Sequence, residues 1–454
     1  MTDPVLFLHR LRGTSRVFDT SSVQSPGSIR DQILRACWLV DRALDAKYIN
    51  KHSALLVLGA GVAGVSAAMR AAAKGVPTIL VDQARQPFSR QATCQTRWVD
   101  PSIYEWPHGH HTALAWGTGS MPLPYRADLV HLVVSGQWVP LFNAAPGYLT
   151  TYWGHVMKKR PKQIPGAVIA EIENTKTGKV KPVRAAMALI ASGAPEENTE
   201  CLSFRGFRFW DSDPYGQPSV LSPPAQPKVL ISGGGDGALQ DLLRIVLDPI
   251  TVPTPRHLLP LLSLVPDSLL LELQTEEDQA QRTLFWNGGA RAIAHDHPVH
   301  IRLHGAYRMA ARRVITDPRF ATTLEGLLRP SVPDITFLHS CEHLSRCYPL
   351  NHFMGALLIE LLTARGSLRH IRGHRVESVS PSPGAVHACG HPSLCHGMDH
   401  EIGVAPQVCG AARGSVRNLG TYNVVILRHG PVRAPGRQPA VLPIRRQLVP
   451  YGLP

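Results

Sequence analysis

Two stretches of this chain each run from an apolar, strand-like segment through a glycine turn into a helix-like segment, and that order leaves few folds open. The first is "ALLVLGAGVAGVSAAMRAAAKG", Ala54–Gly75, followed by "PTILVDQ", Pro77–Gln83. The second is "VLISGGGDGALQDLL", Val229–Leu243. A buried strand that feeds a glycine turn and opens a helix gathers free backbone N–H groups and the positive end of a helix dipole at one point. That point is a cradle for phosphate. The expected fold class is therefore α/β, with a Rossmann-like dinucleotide-binding domain and a second nucleotide-binding-like domain.

In the first stretch Gly59, Gly61 and Gly64 form G-x-G-x-x-G, with Ala63 inside the turn. Gly59 allows the tight turn, Gly61 lets a pyrophosphate approach the backbone, and Gly64 lets helix and strand pack closely. The next strand ends at Asp82, followed by Gln83, where an acid is placed to accept ribose hydroxyls. In the second stretch Gly233 and Gly235 take the first two glycine positions, Ala238 takes the third, and Asp236 comes directly after the turn. A complete site also needs a second strand about twenty residues on, ending in an acid or in arginines. The segment after Asp241 is long, proline-broken and helix-like; "SLLLEL", ending at Glu272 or running on to Glu276, is the available strand, and it comes late.

The first stretch resembles the FAD site of the two-dinucleotide-domain flavoproteins, the class that contains thioredoxin reductases and flavin monooxygenases. "ISGGGDGALQDLL" is similar to the "GGGDSA" turn in the NADPH domain of thioredoxin reductases. "AAMALIASG", with Gly193 at its end, and "YNVVILRHGP", with His429 and Gly430 at its end, resemble the class's strands that return beside the flavin. The resemblance implies FAD at the first cradle and NADPH or NADH at the second. It does not extend to a thioredoxin-reductase dithiol, because the eight cysteines include no C-x-x-C. Aspartate at position 82 stands where the class usually has glutamate and preserves the chemistry.

Three histidine- and cysteine-rich segments stand near these elements. "RQATCQTRWVDPSIYEWPHGHH", Arg90–His111, offers Arg90 and Arg97 to phosphate, Trp98, Tyr104 and Trp106 for stacking, and Cys94 to a reactive face; the plainer reading is a packed loop. "HSCEHLSRCYPLNHF" places Glu342 and His343 past the strand "DITFLHS" as proton carriers, against a plainer role in capping and packing. "HACGHPSLCHGMDHEIGVAPQVC" carries Cys389, His391, Cys395, His396, His400 and Cys409, whose types suit zinc but whose spacing matches no standard structural site. No metal is expected.

Composition narrows the partners. The net charge of +14 comes mostly from arginine, much of it near the C-terminus, yet no basic helix with interleaved aromatics and no zinc-finger spacing accompanies it. Nucleotide phosphates and a small-molecule substrate are expected partners; nucleic acid is not. No apolar run approaches the ~18 residues of a membrane span, and the N-terminus lacks a secretory signal, so a cytoplasmic location is expected.

The expected domains are a leader and helix (1–52), a first part of the FAD domain (53–200), an inserted nucleotide-binding-like and helical domain (201–333), a return part (334–435) and a proline-rich tail (436–454). A helix is expected over Ser25–Tyr48, and residues 1–24 read as irregular. The expected function is an FAD-dependent oxidoreductase, reduced by NAD(P)H and passing electrons to a small molecule or oxygen. The alternatives are a non-catalytic nucleotide-binding protein and an FAD oxidase whose nicotinamide domain no longer works.

Overall fold

The computed structural model of the chain describes residues 6, 9–11, 13–20, 28–100, 122–145, 147–193, 197–202, 204–213, 227–286, 298–344, 347–381, 400–406 and 415–429. The described residues fall into two compact units, one ending at Gly193 and the other running from Glu197 to His429. Both are α/β, as the two glycine turns require.

The first unit opens with strand β1 (Val17–Asp19) and helix α1 (Ile29–Asp45). The Ser28 hydroxyl caps α1 by accepting from the Asp31 N–H, one of the four N–H groups a helix start leaves unbonded. Strand β2 (Leu55–Leu58), helix α2 (Val62–Ala73) and strand β3 (Thr78–Asp82) make the expected βαβ unit. Arg70 of α2 grips Asp41 of α1 with two bonds of 2.9 Å. After the short helices Ser89–Ala92 and Val139–Asn143, strand β4 (Leu149–Trp153) begins, followed by the antiparallel strands β5 (His155–Met157), β6 (Lys162–Ile164), β7 (Ala167–Asn174) and β8 (Val180–Ala185). Strand β9 (Met187–Ile190) returns to the main sheet, whose order is β1-β9-β2-β3-β4 with every pair parallel. Residues 17–19, read as part of an irregular leader, thus form an edge strand. Three residues are too short a run to show a period.

The second unit has strand β10 (Lys228–Ser232) and helix α3 (Asp236–Val246), then the long helices α4 (Asp267–Trp286) and α5 (Pro298–Ile315) and the shorter α6 (Pro318–Glu325). Strand β11 (Asp334–His339), helix α7 (Pro349–Ala364) and strand β12 (Leu368–Arg372) come after them. A three-stranded antiparallel sheet, β13 (His374–Pro381), β14 (His400–Pro406) and β15 (Arg417–Tyr422), precedes the last strand β16 (Val424–Leu427). The main sheet is parallel, in the order β12-β11-β10-β16.

Two expectations change here. "SLLLEL" lies inside helix α4, where Leu269, Leu273 and Ala280 turn into the core at helical spacing; that period, not the apolar run, decides its state. The strands containing residues 334–339 and 424–427 were expected to return to the first domain, but both pair with β10 in the second sheet. Central parallel strands are short apolar runs that look alike, so the run itself does not name its neighbour.

The two main sheets share one plan. In each, the strand before the glycine turn is central, the next two strands extend to one side, and the final strand pairs on the other side; in the first unit β1 adds an edge strand beyond it. An antiparallel meander links the third strand to the last in both: β5 to β8 in the first unit, β13 to β15 in the second. The repeat seen in the glycine turns therefore reaches the whole topology of each unit. In the second unit Leu239, Leu242, Ile245 and Val246 of α3 join Ile335, Phe337 and a face of α7 in one core. Each such side chain, fully buried, contributes about 1.5–3 kcal/mol. Among the described residues no single helix is long and apolar enough to cross a membrane.

Candidate functional site

The first cradle is set by backbone contacts. Gly59 takes φ +112°, and a Cβ there would strike the Ala191 carbonyl; a Cβ at Gly64 would strike the Gly59 carbonyl. Neither position accepts a side chain. Gly61, which starts α2, is different: a Cβ on it would meet nothing within 4 Å. The space where its side chain would be is open, which leaves room for a pyrophosphate to approach the helix N-terminus. Ala63 is half-buried in the first turn of α2.

Asp82 does more than end its strand. Its Oδ2 accepts the Ala60 N–H at 2.5 Å and its Oδ1 accepts the Ala84 N–H at 2.7 Å, so the carboxylate ties the glycine turn to β3. An ionised carboxylate has about four acceptor positions, so two remain for ribose hydroxyls. Gln83 is exposed beside it. The segment after β3 is tied to the same turn, because the Phe88 N–H donates to the Ala60 carbonyl at 2.9 Å. Arg90 lies exposed in the short helix Ser89–Ala92, whereas Arg97 is only 2% exposed. Cys94 is fully buried, which sets it in the packing of the unit and not at an open reactive face. Gly193 takes φ +80° just past β9, and the Ala191 N–H donates to the Leu58 carbonyl at 2.7 Å. Tyr104, Trp106, the histidines at 108, 110 and 111, Gly430, and the cysteines and histidines from 389 to 396 and at 409 lie outside the described residues.

The second cradle repeats these contacts position by position. Gly59 N donates to Val81 O at 2.8 Å in the first unit, and Gly233 N donates to Leu338 O at 2.8 Å in the second. Ala191 N donates to Leu58 O at 2.7 Å, and Arg428 N donates to Ser232 O at 2.7 Å. A Cβ on Gly233 would strike the Arg428 carbonyl, while one on Gly235, which starts α3, would meet nothing within 4 Å. Ala238 is buried in the close-packing position. The backbone of the glycine turn is therefore built the same way twice.

The side chains differ. Leu58 pairs with Val81 and Ser232 pairs with Leu338, so His339 stands where Asp82 stands in the first unit. His339 Nε2 lies 2.7 Å from His370 Nε2, one donating and the other accepting, which requires an uncharged ring on at least one side. Burial, ahead of neighbouring arginine and histidine charges, holds His339 down at about 4 and His370 at about 3. Asp236 joins the starts of α3 and α7: its Oδ1 accepts the Tyr348 N–H at 2.7 Å and an Asn351 Nδ2 hydrogen at 3.3 Å. His429 was expected beside the first cradle. Its Nε2 lies 2.8 Å from Ser232 Oγ, at the end of β10 in the second unit, and burial lowers it to about 4.

Two features were not read from the sequence. Arg428 is buried and donates through Nε to Asp241 Oδ2 at 2.7 Å; Asp241 in turn accepts from Arg244 at 3.0 Å, and Arg244 also grips Asp213 at 2.8 Å. This chain of charges fixes residues 207–213 against the start of α3, with the Phe209 ring 3.5 Å from a Cβ at Gly237. The other feature is a group of buried histidines. His304 Nδ1 lies 3.0 Å from His352 Nε2, and the His343 ring centre is 6.2 Å from that of His300 and 6.5 Å from that of His304. His343, read as a proton carrier on the substrate wall, is instead packed against α5. Glu342, next to it in sequence, is exposed, so the two do not form an acid–base pair. The i,i+4 spacing of His300 and His304 was the available signal, since it puts both on one helix face. Among the described residues no group of three or more histidine, cysteine, aspartate or glutamate side chains is arranged to hold a metal ion.

No family model and no curated protein matches the chain. Among solved structures it is similar to Lactococcus lactis thioredoxin reductase, at 10% identity over 83% of this chain and 77% of that one, with a TM-score of 0.37. It is also similar to the bacillithiol disulfide reductase of Staphylococcus aureus, at 10% identity over 83% and 76%, with a TM-score of 0.40. L-lysine 6-monooxygenase from Pseudomonas syringae gives 10% identity over 84% and 82%, with a TM-score of 0.40.

Proposed function

We propose that the chain is an FAD-dependent oxidoreductase, with FAD held by the first cradle and NAD(P)H by the second. The observation that carries this reading is the duplication: two strand–glycine–helix turns with matching hydrogen bonds, each open above the glycine that starts its helix. One such turn suits any adenine dinucleotide; two, built alike, suit an exchange between two nucleotides. In the first unit Gly59 and Gly64 bring backbone and helix close together. Gly61 leaves room for the pyrophosphate, and Asp82 keeps the turn closed while offering its remaining lone pairs to a ribose. FAD, when bound, supplies the redox chemistry. The electron acceptor is a dissociable small molecule or oxygen, since the sequence offers no C-x-x-C dithiol.

His339 favours a second reading. A neutral imidazole already engaged with His370 is a poorer ribose acceptor than a carboxylate, which suits a second cradle that keeps the fold without using a nicotinamide. The visible spectrum of the purified protein separates the two. Flavin bands that bleach on anaerobic NADPH or NADH support the two-nucleotide enzyme. Bands that persist support a flavin oxidase. A colourless protein that cannot be reconstituted with FAD overturns both.

A further inference from the structure

Within the second unit an open cleft of about 560 Å³ lies along the edge strand β12 and the start of β15. Arg369 and Arg372 line it from β12, Arg417 and Asn418 from β15, and Glu342 from the loop after β11. Three arginines against one carboxylate leave a formal excess of two positive charges (3 − 1 = 2).

The way these arginines are held is informative. Arg369 donates through Nη2 to the Tyr422 hydroxyl at 3.1 Å, and that hydroxyl passes its own hydrogen to Thr336 Oγ1 at 2.9 Å. His374 Nδ1 lies 2.7 Å from the Arg372 carbonyl, which only accepts, so Nδ1 carries the hydrogen. His374 Nε2 is then the lone pair that accepts from Arg417 Nη2 at 3.2 Å. Among the described residues no carboxylate forms an ion pair with any of the three. Elsewhere in this unit arginines are neutralised directly: Arg308 and Arg312 on Glu360, Arg244 on Asp213 and Asp241. In the cleft, the groups that fix the direction of two guanidinium groups are uncharged. Asn418 turns its Oδ1 to the Gly420 N–H at 2.7 Å, which leaves its Nδ2 hydrogens as further donors.

We propose that this cleft is a binding site for a phosphate monoester or phosphate dianion, taken by Arg369, Arg372 and Arg417. The excess charge of two matches such a dianion, and guanidinium forks suit its several acceptor oxygens better than they suit a halide. The site stands on the second unit alone and does not depend on flavin at the first cradle.

Calorimetric titration of the whole protein with inorganic phosphate, at ionic strength fixed with sodium chloride, tests it. Saturable binding at one site is expected, weakened about tenfold or more by Arg417→Gln and by Arg372→Gln. Glu342→Gln, which removes the one opposing charge, is expected to tighten it. Arg417 and Arg372 are exposed, so these variants are expected to fold even if Arg369→Gln, which loses the Tyr422 bond, does not. Unsaturable binding, or binding unchanged in both arginine variants, overturns the proposal. Competition then identifies the source. Displacement of phosphate by NADP+ but not by NAD+ assigns the site to the monoester of a nucleotide. Retention of phosphate with either dinucleotide present assigns it to a separate phosphorylated molecule or free phosphate. The flavin spectrum is read separately, so failure here leaves the oxidoreductase reading standing.

Discussion

In the first unit Gly59 abuts the Ala191 carbonyl, and Asp82 ends the neighbouring strand; in the second, Gly233 abuts the Arg428 carbonyl, and His339 ends that strand. The backbone requirement is the same in both, because a side chain at either glycine would collide with main chain. The collision is chiefly with the backbone carbonyl just past the last strand, so the side chains there and at the end of the second strand differ: alanine against arginine, aspartate against histidine. What is invariant between the units is thus what the glycine turn needs to fold. What varies is the side chains around it and how each unit is stabilised.

The largest contrast expected is in acid. His304, His339, His370 and His429 of the second unit are lowered to about 2, 4, 3 and 4, chiefly by burial, while in the first unit His9 is lowered to about 4, again chiefly by burial. A buried histidine with a depressed value stays neutral in the fold, while the unfolded chain takes up protons as pH falls below 6.5. Its penalty is therefore absent above 6.5 and grows as pH falls towards the folded value, by about 1.4 kcal/mol per pH unit. At pH 5 that is roughly 2 kcal/mol per histidine, or several kcal/mol for the second unit. Hydrogen exchange resolved by peptide, at pH 7.5 and 5, is expected to show protection lost first and most steeply in residues 298–372. Equal loss in both units would remove the contrast.

Next in size is the buried Arg428–Asp241 pair just past the last strand of the second unit, where the first unit has Ala191. Arg428→Ala makes the end of β16 resemble the Ala191 end of β9, but it strands Asp241, which is fully buried. Removing one partner of a buried pair costs about 3–5 kcal/mol. Denaturant unfolding followed by the same exchange measurement is expected to place that loss in the second unit. Ala191→Gly, the nearest truncation in the first, is expected to cost far less. A stability change of under 1 kcal/mol in Arg428→Ala would mean that the Arg244 and Asp213 pair holds Asp241 unaided.

A third experiment separates the two kinds of glycine. Gly64→Val drives a side chain into the Gly59 carbonyl and is expected to cost about 3 kcal/mol or more, with loss of any nucleotide. Gly61→Ala and Gly235→Ala enter open space and are expected to leave stability within ~1 kcal/mol while lowering nucleotide affinity. Thermal unfolding and nucleotide titration on the same samples give both numbers. If Gly61→Ala binds as tightly as the parent, the open space above it is not the phosphate position.

These differences also mark where sequence reading stops. The glycine turns, the helix expected within Ser25–Tyr48 and the βαβ unit through Asp82 were legible because each is local: residues near one another in the chain carry the steric rule or the period. The assignment of Asp334–His339 and Val424–Leu427 was not, because the partner of a buried parallel strand is chosen by the rest of the sheet. The true second strand of the second cradle was hidden by the helices from Asp267 to Glu325, which separate two strands that pair directly. The histidine group was hidden for the same reason, since α5, α7 and two strand ends contribute to it. The common meander, which makes each unit a copy of one plan, leaves no motif because its strands are short and their side chains unrelated.

The smallest expected effect on stability, and the sharpest on ligand choice, comes from exchanging the residues at the ends of the second strands. Asp82→Asn keeps the shape but removes the charge that holds the Ala60 and Ala84 N–H groups. Hydrogen bonds to a charged group contribute about 1.5–3 kcal/mol, and the amide keeps part of that, so a loss of about 1 kcal/mol in the first unit is expected. Nucleotide affinity there is expected to fall about tenfold as the ribose acceptor weakens. In the second unit His339→Asp puts a carboxylate next to the Gly234 amide, the counterpart of Ala60, and beside His370. The acid is expected to draw His370 into its charged form, so the pair is stabilised near neutral pH and a ribose acceptor is restored. NADH affinity should then rise while the glycine turn stays unchanged. If Asp82→Asn leaves nucleotide affinity intact and His339→Asp does not raise it, the position at the end of the second strand does not choose the ligand in either unit. The choice must then be sought among the residues that line the arginine cleft.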